Sequence, residues 1–575
     1  MFNASTNFCN PNAVPGSSGC PFPEIPGSLQ QLSGYSDFPA SGRQVRDDLS
    51  RANINADITR YMNWRGQHTV KAGVQFEHIE NSVLSGAQAE TVDLFWNSDY
   101  VANSGQRFRG KYGHYNVTRL YTAGDITADS LGLFVQDAWS VHNRLTLNLG
   151  LRTEREDIPS YRENNPGISF GFNQKIAPRV GFAWDVKGNS SLKAYGSWGI
   201  FYDQMKLTLG RVMFGADRWM NWHFTLDTYD WASITCTDPP NFGSAGCPGT
   251  FIESFDFRPV ANDASDPNFQ LVDPDLNPIR TQELTLGLDR EVFGNMSVGV
   301  RYVHKWADYA IEAVCALVPS GEACGVNNPG FGTGVYPFGT GLPPQPKAVR
   351  DYDGFEIRLR KRLSNRWSVD TSYLLSRLHG NWSGIASSDE AVGSLQPYSG
   401  RSFNLLYYSY DAAGNPSYGP LGTERPHQFK LQATYSLPWG TTLGTNFLAE
   451  SGVPLSTVAN QKGMTFFPNG RGDLGRTPTF TQMDLFAQHE LRLRGSARVS
   501  LGVNVINLFD QDTATSSFVN PYRDNFNIPD AQFFAGFNPE AIVASTPGFR
   551  RDARYKMANG YQDRRSVRLQ ARFSF

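Results

Sequence analysis

The side chains best suited to contacting a ligand lie in the long segment 203–280, which is rich in aromatic residues. They are Trp219, Trp222, His223, Phe224, Tyr229 and Trp231. Aromatic faces suit sugars and peptides because they offer a large apolar area, and Trp and Tyr add a polar group. The alternative is that these rings only pack a long loop against its neighbours. We predict ligand contact for Trp219, Trp222, His223, Tyr229 and Trp231, with loop packing as the simpler alternative.

Catalytic chemistry has little support in the sequence. No nucleophile, base and orienting group can be assembled by spacing, and no glycine-rich phosphate loop follows a predicted strand. The nine histidines are scattered singly, and the net charge of -2 argues against a strongly basic nucleic-acid surface. We therefore expect a protein that is not an enzyme, needs no cofactor or metal and does not bind nucleic acid.

The six cysteines form three close pairs along the chain: Cys9 with Cys20, Cys236 with Cys247, and Cys315 with Cys324. Each pair lies within one predicted loop and is separated by Pro, Gly or Ser, which suits a local disulfide in an oxidising compartment. A bridge closing so short a loop is worth roughly 3 kcal/mol in the chain-entropy model. Zinc binding is the minor alternative, because no second pair or histidine lies nearby in sequence.

Two further patterns carry charge. One set of alternate residues could form charged ladders across strands, either as a solvated inner wall or as part of a ligand site: Glu356, Arg358, Arg360, Arg362, Arg568 and Arg572. The tripeptide Arg471-Gly472-Asp473 resembles an adhesion motif, but three residues recur often by chance.

Strands with one apolar face must position these residues. Leu145, Leu147, Leu149 and Leu151 alternate with polar residues, and the last strand repeats this pattern up to the aromatic residue Phe575. A period of two indicates a strand. The pattern predicts about fifteen strands in seven hairpins and a final single strand, bounded as follows: 50–64, 68–80, 130–141, 144–154, 176–186, 191–202, 281–292, 296–305, 352–363, 367–375, 427–437, 442–449, 483–493, 497–509 and 564–575.

The connections between these strands alternate in length. Turns of a few residues join the strands of each hairpin, and long irregular loops separate the hairpins: 81–129, 155–175, 203–280, 306–351, 376–426, 450–480 and 510–563. Short turns at one end and long loops at the other are typical of a barrel in an outer membrane, with the short turns in the periplasm. The fold class predicted is all-β, an antiparallel transmembrane β-barrel whose cysteine pairs all face outward from the cell.

The amino terminus lacks the marks of an export signal. Residues 1–49 are predicted to be an external loop and residues 50–575 the barrel. Neither a positive region, an apolar region nor a cleavage site follows Met1. Either the signal sequence has been removed or the sequence begins part-way through a longer protein, and we expect the second.

Several phrases of the predicted barrel resemble TonB-dependent outer-membrane receptors. They are LFVQDAW at 133–139, LTLNLGLR at 145–152, APRVGFA at 177–183 and YGSWGIFYD at 195–203. Others are similar to the subgroup with a carboxypeptidase-regulatory-like domain, often called Oar-like: YDGFE at 352–356, RPHQF at 425–429, SGVP at 451–454 and NVINLFD at 504–510. The resemblance covers roughly residues 50–575.

The resemblance implies an active transporter: a 22-stranded barrel closed by a plug, which takes up a scarce glycan, peptide or metal chelate when the TonB-ExbB-ExbD complex pulls on the plug. Its implied partners are outer-membrane lipid and the barrel-assembly machinery, which recognises a terminal aromatic such as Phe575. No plug, TonB box or regulatory-like domain is recognisable before residue 50. A passive porin and a surface adhesion protein anchored by the barrel remain as alternatives, and among ligands a glycan or peptide is favoured.

Overall fold

A computed structural model gives the fold. It describes residues 2–5, 22, 24–29, 35–36, 43–87, 90–102, 104–160, 167–205, 207, 217–236, 247–256, 272–293, 295–318, 321–336, 341–384, 403, 406–462, 464–493 and 496–575. Cys9 and Cys20 lie outside these residues.

The large sheet of the described residues has 22 strands, and fifteen of these make up its wall, as the alternating pattern predicts. In chain order they are β1 Arg43–Asn63, β2 Gln67–Ala87, β3 Gly113–His142, β4 Leu145–Ile158, β5 Ile176–Asp185, β6 Leu192–Tyr202, β7 Arg280–Phe293, β8 Met296–Tyr309, β9 Arg350–Ser364, β10 Trp367–Gly380, β11 His427–Ser436, β12 Thr441–Glu450, β13 Phe480–Arg492, β14 Arg498–Ile506 and β15 Ser566–Ser574.

Each of these strands pairs antiparallel with the next along the chain. Such a meander is the expected layout of a membrane barrel wall, because neighbouring strands satisfy each other's backbone groups without water. Within the described residues no pairing joins β1 to β15, so each has one edge without a neighbouring wall strand.

The register keeps the apolar residues of neighbouring strands on one face. Leu149 of β4 lies opposite Val180 of β5, and Leu147 lies opposite Phe182. On the other face, Asn148 lies opposite Gly181. Because side chains alternate along a strand, the face with Leu149 is the lipid side and the face with Asn148 is the lumen side.

The short turns depend on residues with positive φ. Asn365 and Arg366, which join β9 to β10, have φ values of 51° and 71°. Two such residues in succession form the tight turn whose twist matches that of paired strands. Arg65, Gly66 and Asn295 also have positive φ in turns of this end.

Exposed aromatic residues surround the short turns. Trp64 is 67% exposed and Trp439 63%, and Trp184, Phe293 and Trp367 lie in equivalent places beside other turns. Such a girdle is typical of a membrane interface, where an aromatic ring meets both lipid and water. The short turns therefore lie at one membrane surface and the long connections lie beyond the other.

The long connections are more ordered than the irregular loops predicted from the sequence. Strand β3 begins at Gly113 instead of residue 130, and β1 begins at Arg43 instead of residue 50. The connections and the region before β1 contain further strands, at Phe2–Ser5, Tyr35–Ser36, Thr91–Trp96, Tyr100–Val101, Arg107–Phe108, Ile168–Phe170, Asp217–Leu226, Phe251–Asp256, Glu312–Val318, Gly321–Asn327, Gly419–Pro420, Ala459–Gln461, Met464–Phe466, Ala514–Ser517 and Ala558–Tyr561.

Among the residues that the structure describes, helical structure is confined to short segments. Two α-helices, α1 Asp530–Ala535 and α2 Pro539–Ser545, lie between β14 and β15, and 3-10 turns occur at Gly27–Leu29, Trp231–Ser233 and Gly332–Val335. No helix among the described residues is long and apolar enough to cross a bilayer. The buried cores lie chiefly among the connections beyond the wall.

Candidate ligand site in the external loops

Part of the external surface is a small sheet, here called the loop sheet. The first part of β3, residues 113–122, pairs with Asp217–Leu226 on one side, and residues 113–118 pair with Thr91–Trp96 on the other. Phe251–Asp256 extends the sheet beyond Asp217–Leu226. Strand β3 therefore continues from the wall into the external layer and supports it.

One face of the loop sheet carries a hydrophobic core. Trp222 and Phe224 are each 1% exposed, and Trp231 is 7% exposed. The indole Nε1 of Trp231 donates a hydrogen bond to the carbonyl oxygen of Leu29 at 2.9 Å. In this structure these three rings pack the loop core, which is the simpler of the two roles that the sequence left open.

The predicted Cys236–Cys247 disulfide is confirmed, and its residues lie beside this core. It joins Cys236, which follows the 3-10 turn Trp231–Ser233, to Cys247, which precedes Phe251–Asp256. The backbone register of another external hairpin places Cys315 directly opposite Cys324, as a local bridge requires. That bond and the Cys9–Cys20 bond stay predictions.

The opposite face of the loop sheet holds two histidines. His223 is 8% exposed and stacks on Tyr100 with 4.3 Å between ring centroids, while the Tyr100 hydroxyl donates to Glu253 at 2.6 Å. His114 lies near by, and its Nδ1 is 3.1 Å from the carbonyl oxygen of Ser98. Burial lowers the pKa of His223 to about 4, helped by the positive charge that His114 can carry.

The remaining predicted contact residues are Tyr229 and Trp219. Tyr229 is 37% exposed and packs edge-on against Tyr112. The backbone of Trp219 pairs with that of Leu120 in the loop sheet. Of the predicted set, Tyr229 has a ring open to solvent in this structure, and contact between any of the five and a ligand stays a prediction.

A second group of loops surrounds a cavity, here called the arginine cleft. It has a volume of about 1130 Å³ and lies between the connections 451–479 and 507–565. Its charged lining consists of three arginines and one carboxylate: Arg471, Arg523, Arg554 and Asp552. The rest of the lining mixes hydroxyl and amide groups with the rings of Phe467, Phe518 and Tyr522.

Two arginines of the cleft, Arg554 and Arg471, are held in place by short contacts. Arg554 donates to both oxygens of Asp552, at 2.9 and 2.6 Å, and its guanidinium lies 4.3 Å from the ring centroid of Phe518. These hydrogen bonds hold the pKa of the Asp552 carboxyl well below its usual range. Arg471 lies 4.3 Å from the ring centroid of Phe467. Stacking of guanidinium on an aromatic face fixes its orientation.

Sequence reasoning did not identify the arginine cleft. Its arginines come from two connections separated by strands β13 and β14, so no local spacing joins them. The density of charge at Arg550-Arg551-Asp552-Ala553-Arg554 was the available signal, but density does not reveal which side chains meet.

The adhesion-like tripeptide is part of a folded turn. Asp473 accepts hydrogen bonds from the amide and hydroxyl of Thr457, both at 2.6 Å. The Nε of Arg471 donates to the carbonyl oxygen of Ser417 at 3.2 Å. Both charged ends of the tripeptide therefore make contacts within the loop layer.

Part of the predicted charged ladder, at Glu356, Arg358 and Arg360, is formed on the lumen side of the wall. Arg358 donates to Asp370 across β9 and β10 at 2.5 Å, and Arg360 lies 3.3 Å from the same carboxylate. Glu356 pairs with Arg301 of β8 at 2.8 Å. Mutual pairing of this kind fits a solvated inner wall. Within the part of the chain that the structure describes, no cluster of three or more histidine, cysteine or acidic side chains is placed to hold a metal ion.

Comparisons with known proteins agree with this architecture. Residues 2–175 and 171–460 match the family described as "Outer membrane beta barrel domain". The chain is 26% identical over 569 residues to the TonB-dependent transporter Oar of Myxococcus xanthus, covering 92% of this chain and 51% of the transporter. The chain thus spans about half the length of the curated relative that it matches.

Solved structures of outer-membrane proteins are also similar. The outer membrane transporter YddB from Escherichia coli has a TM-score of 0.49 at 11% identity, with 84% of this chain and 52% of that chain covered. FpvA of P. aeruginosa, solved with a bound pyoverdine, has a TM-score of 0.48 at 13% identity, with 93% and 50% covered. Because the family matches most of its length, this chain belongs to the outer membrane beta barrel domain family. It therefore resides in the outer membrane of a Gram-negative bacterium.

Proposed function

We propose that this chain forms barrel wall and external loops of a TonB-dependent transporter, which takes up a scarce ligand across the outer membrane. The observation that carries the proposal is the similarity to the transporter Oar over 92% of this chain. The coupling partner proposed is the TonB-ExbB-ExbD complex, acting through a plug, and the ligand is a glycan, peptide or metal chelate.

The external layer supports uptake of a bound ligand. The connections beyond the wall fold into three substantial cores and surround a cavity of about 1130 Å³, larger than the usual range of small-molecule sites. Loops that served only to join strands would not need such internal packing. A transporter for a scarce ligand needs a preorganised site, because ordering flexible loops on binding lowers affinity.

The test compares uptake in the source bacterium with three genotypes: wild type, a deletion of this gene and a deletion of tonB. Labelled oligosaccharide, peptide and ferric chelate are supplied separately at low concentration. We expect uptake of one ligand to be lost in both deletion strains, with restoration by the intact gene.

Other results would assign a different role. Uptake that needs this gene but not tonB, together with steady ion conductance of the purified protein in planar bilayers, would indicate a passive porin. Normal uptake of all three ligands with reduced attachment to surfaces would indicate an adhesion protein.

A further inference from the structure

The arginine cleft has an excess of positive charge. Its lining carries three guanidinium groups and one carboxylate, in a chain whose overall charge is -2. Arg523 and Arg554 share Asp552, and each has a side chain that is 52% exposed. One carboxylate cannot neutralise both, so positive charge faces the cavity.

The two arginines differ in how firmly Asp552 holds them. Arg554 makes a two-pronged contact with both carboxylate oxygens. Arg523 approaches the same carboxylate only to 3.7 Å, beyond hydrogen-bond distance. Arg554 is therefore fixed in the wall of the cleft, whereas Arg523 can direct its N–H donors toward an incoming oxyanion.

The cleft is also anchored to helix α2 and is rich in neutral polar groups. Tyr522 is 6% exposed and its hydroxyl donates to Glu540 of helix α2 at 2.8 Å, which anchors the segment that carries Arg523. The neutral polar lining includes Ser456, Thr515, Ser517 and Asn520. Hydroxyl and amide groups of this kind can exchange hydrogen bonds with a ligand that carries many hydroxyls.

We infer that the arginine cleft binds an anionic oligosaccharide, with Arg523 as the principal contact to its acidic group and Arg554 in support. The inference rests on the proposed function and names the class of its ligand. A planar guanidinium pairs with the two oxygens of a carboxylate or sulfate, and such charge-assisted bonds are roughly twice as strong as neutral ones. The volume of about 1130 Å³ accommodates several sugar units.

The experiment is calorimetric titration of the whole purified protein in detergent with three probes. These are hexagalacturonate, which carries carboxylates, a sulfated oligosaccharide of similar length, and neutral maltohexaose. We expect one of the anionic probes to bind at least about tenfold more tightly than maltohexaose, with weaker binding as salt is raised. Whether carboxylate or sulfate is preferred identifies the acidic group.

Variants locate the site. Arg523→Gln should weaken binding of the anionic probe by about tenfold, the loss expected for one charge-assisted contact, and Arg523→Gln combined with Arg554→Gln should weaken it further. Arg523→Lys keeps the charge and should give an intermediate affinity. The matched control is Arg550→Gln, in the same connection, because Arg550 pairs with Asp524 at 2.8 Å and does not line the cleft.

The outcomes separate this inference from the proposed function. Binding of neither anionic probe, equal binding of maltohexaose, or equal affinities of wild type and Arg523→Gln would overturn the cleft as an anionic oligosaccharide site. None of those results bears on coupling, which the uptake experiment with the tonB deletion decides. Heat-modifiable gel mobility confirms that each variant remains folded.

Discussion

Lys175 is fully buried at the external rim of the wall and is held by two carboxylates. Its ammonium lies 3.0 Å from Glu154 and 2.6 Å from Glu156, both on β4. Glu156 also accepts a hydrogen bond from the amide of Met205 at 2.8 Å. One buried cation thus joins β4 to the start of β5 and to the connection that follows β6.

Replacing Lys175 with Met should destabilise the protein strongly, because two carboxylates with little access to water would lose their positive partner. We expect a loss of about 3 to 5 kcal/mol in the free energy of unfolding, the range for breaking a buried ion pair. Urea unfolding followed by tryptophan fluorescence measures it. Adding Glu154→Gln and Glu156→Gln should recover much of the loss, and equal stability of Lys175→Met and wild type would contradict the assignment.

His223 makes the loop sheet sensitive to acid. Because burial lowers its pKa to about 4, the unfolded state binds more protons than the folded state between about pH 4 and the ordinary histidine value of about 6.5. The contribution of His223 to stability is therefore complete above pH 6.5 and is lost as the pH falls toward 4. Burial shifts the pKa of His114 in the same direction.

Hydrogen exchange tests this effect. Amide protection of the strand Asp217–Leu226 should fall between pH 7 and pH 5 in the wild type, with a smaller fall in His223→Phe, which keeps a ring stacked on Tyr100. His142→Phe, at the other end of β3, is the control and should behave as the wild type. An undiminished pH response in His223→Phe would show that another group senses the acid.

At the scale of elements, the assignment of faces in strand β4 has a direct test. Leu149→Arg places a charge on the lipid side and should hinder assembly, at about 2 to 4 kcal/mol near the bilayer midplane. Asn148→Arg places the same charge on the lumen side and should be tolerated. Heat-modifiable gel mobility reports the folded fraction, and equal effects of the two substitutions would disprove the assignment.

The turn between β9 and β10 offers a gain in stability. Arg366 has a φ of 71°, which costs an L-residue with a side chain roughly 1 to 2 kcal/mol and costs glycine little. Arg366→Gly should therefore raise the free energy of unfolding by about 0.5 to 1 kcal/mol after the loss of entropy on ordering glycine, and so raise the urea midpoint. Arg362→Gly, within β9, is the matched control and should lower the free energy of unfolding.

The strands of the wall could be predicted from the sequence because each one is specified by the alternation of its own residues. A lipid-facing strand must alternate, so the predicted bounds of β5 and β6 lie within about a residue of those observed. The loop sheet could not be predicted in the same way, because Asp217–Leu226 finds its partner about a hundred residues earlier in the chain. The burial of Trp222 depends on that long-range pairing. The meeting of Arg471 with Arg523 and Arg554 depends in the same way on the folding of two separate connections.

At the scale of the whole molecule, the chain ends on an exposed aromatic residue. Phe575 is 95% exposed just after β15, and its ring lies 5.8 Å from that of Phe573, measured between centroids. The resemblance to outer-membrane receptors implies that the assembly machinery reads such a residue. Deleting Phe575 should slow insertion without changing the stability of the protein once it is folded, as pulse-labelling followed by heat-modifiable mobility would show. Insertion of the deletion variant at the normal rate would show that the assembly machinery does not read Phe575.

The odd number of strands in the wall limits how the unpaired backbone groups at the outer edges of β1 and β15 can find partners. Fifteen strands of alternating direction leave β1 and β15 pointing the same way, so a direct seam between them would be parallel. In hydrocarbon such edges need partners for their backbone groups. An all-antiparallel ring can close here only if an odd number of further strands lies between β15 and β1, whichever polypeptide supplies them.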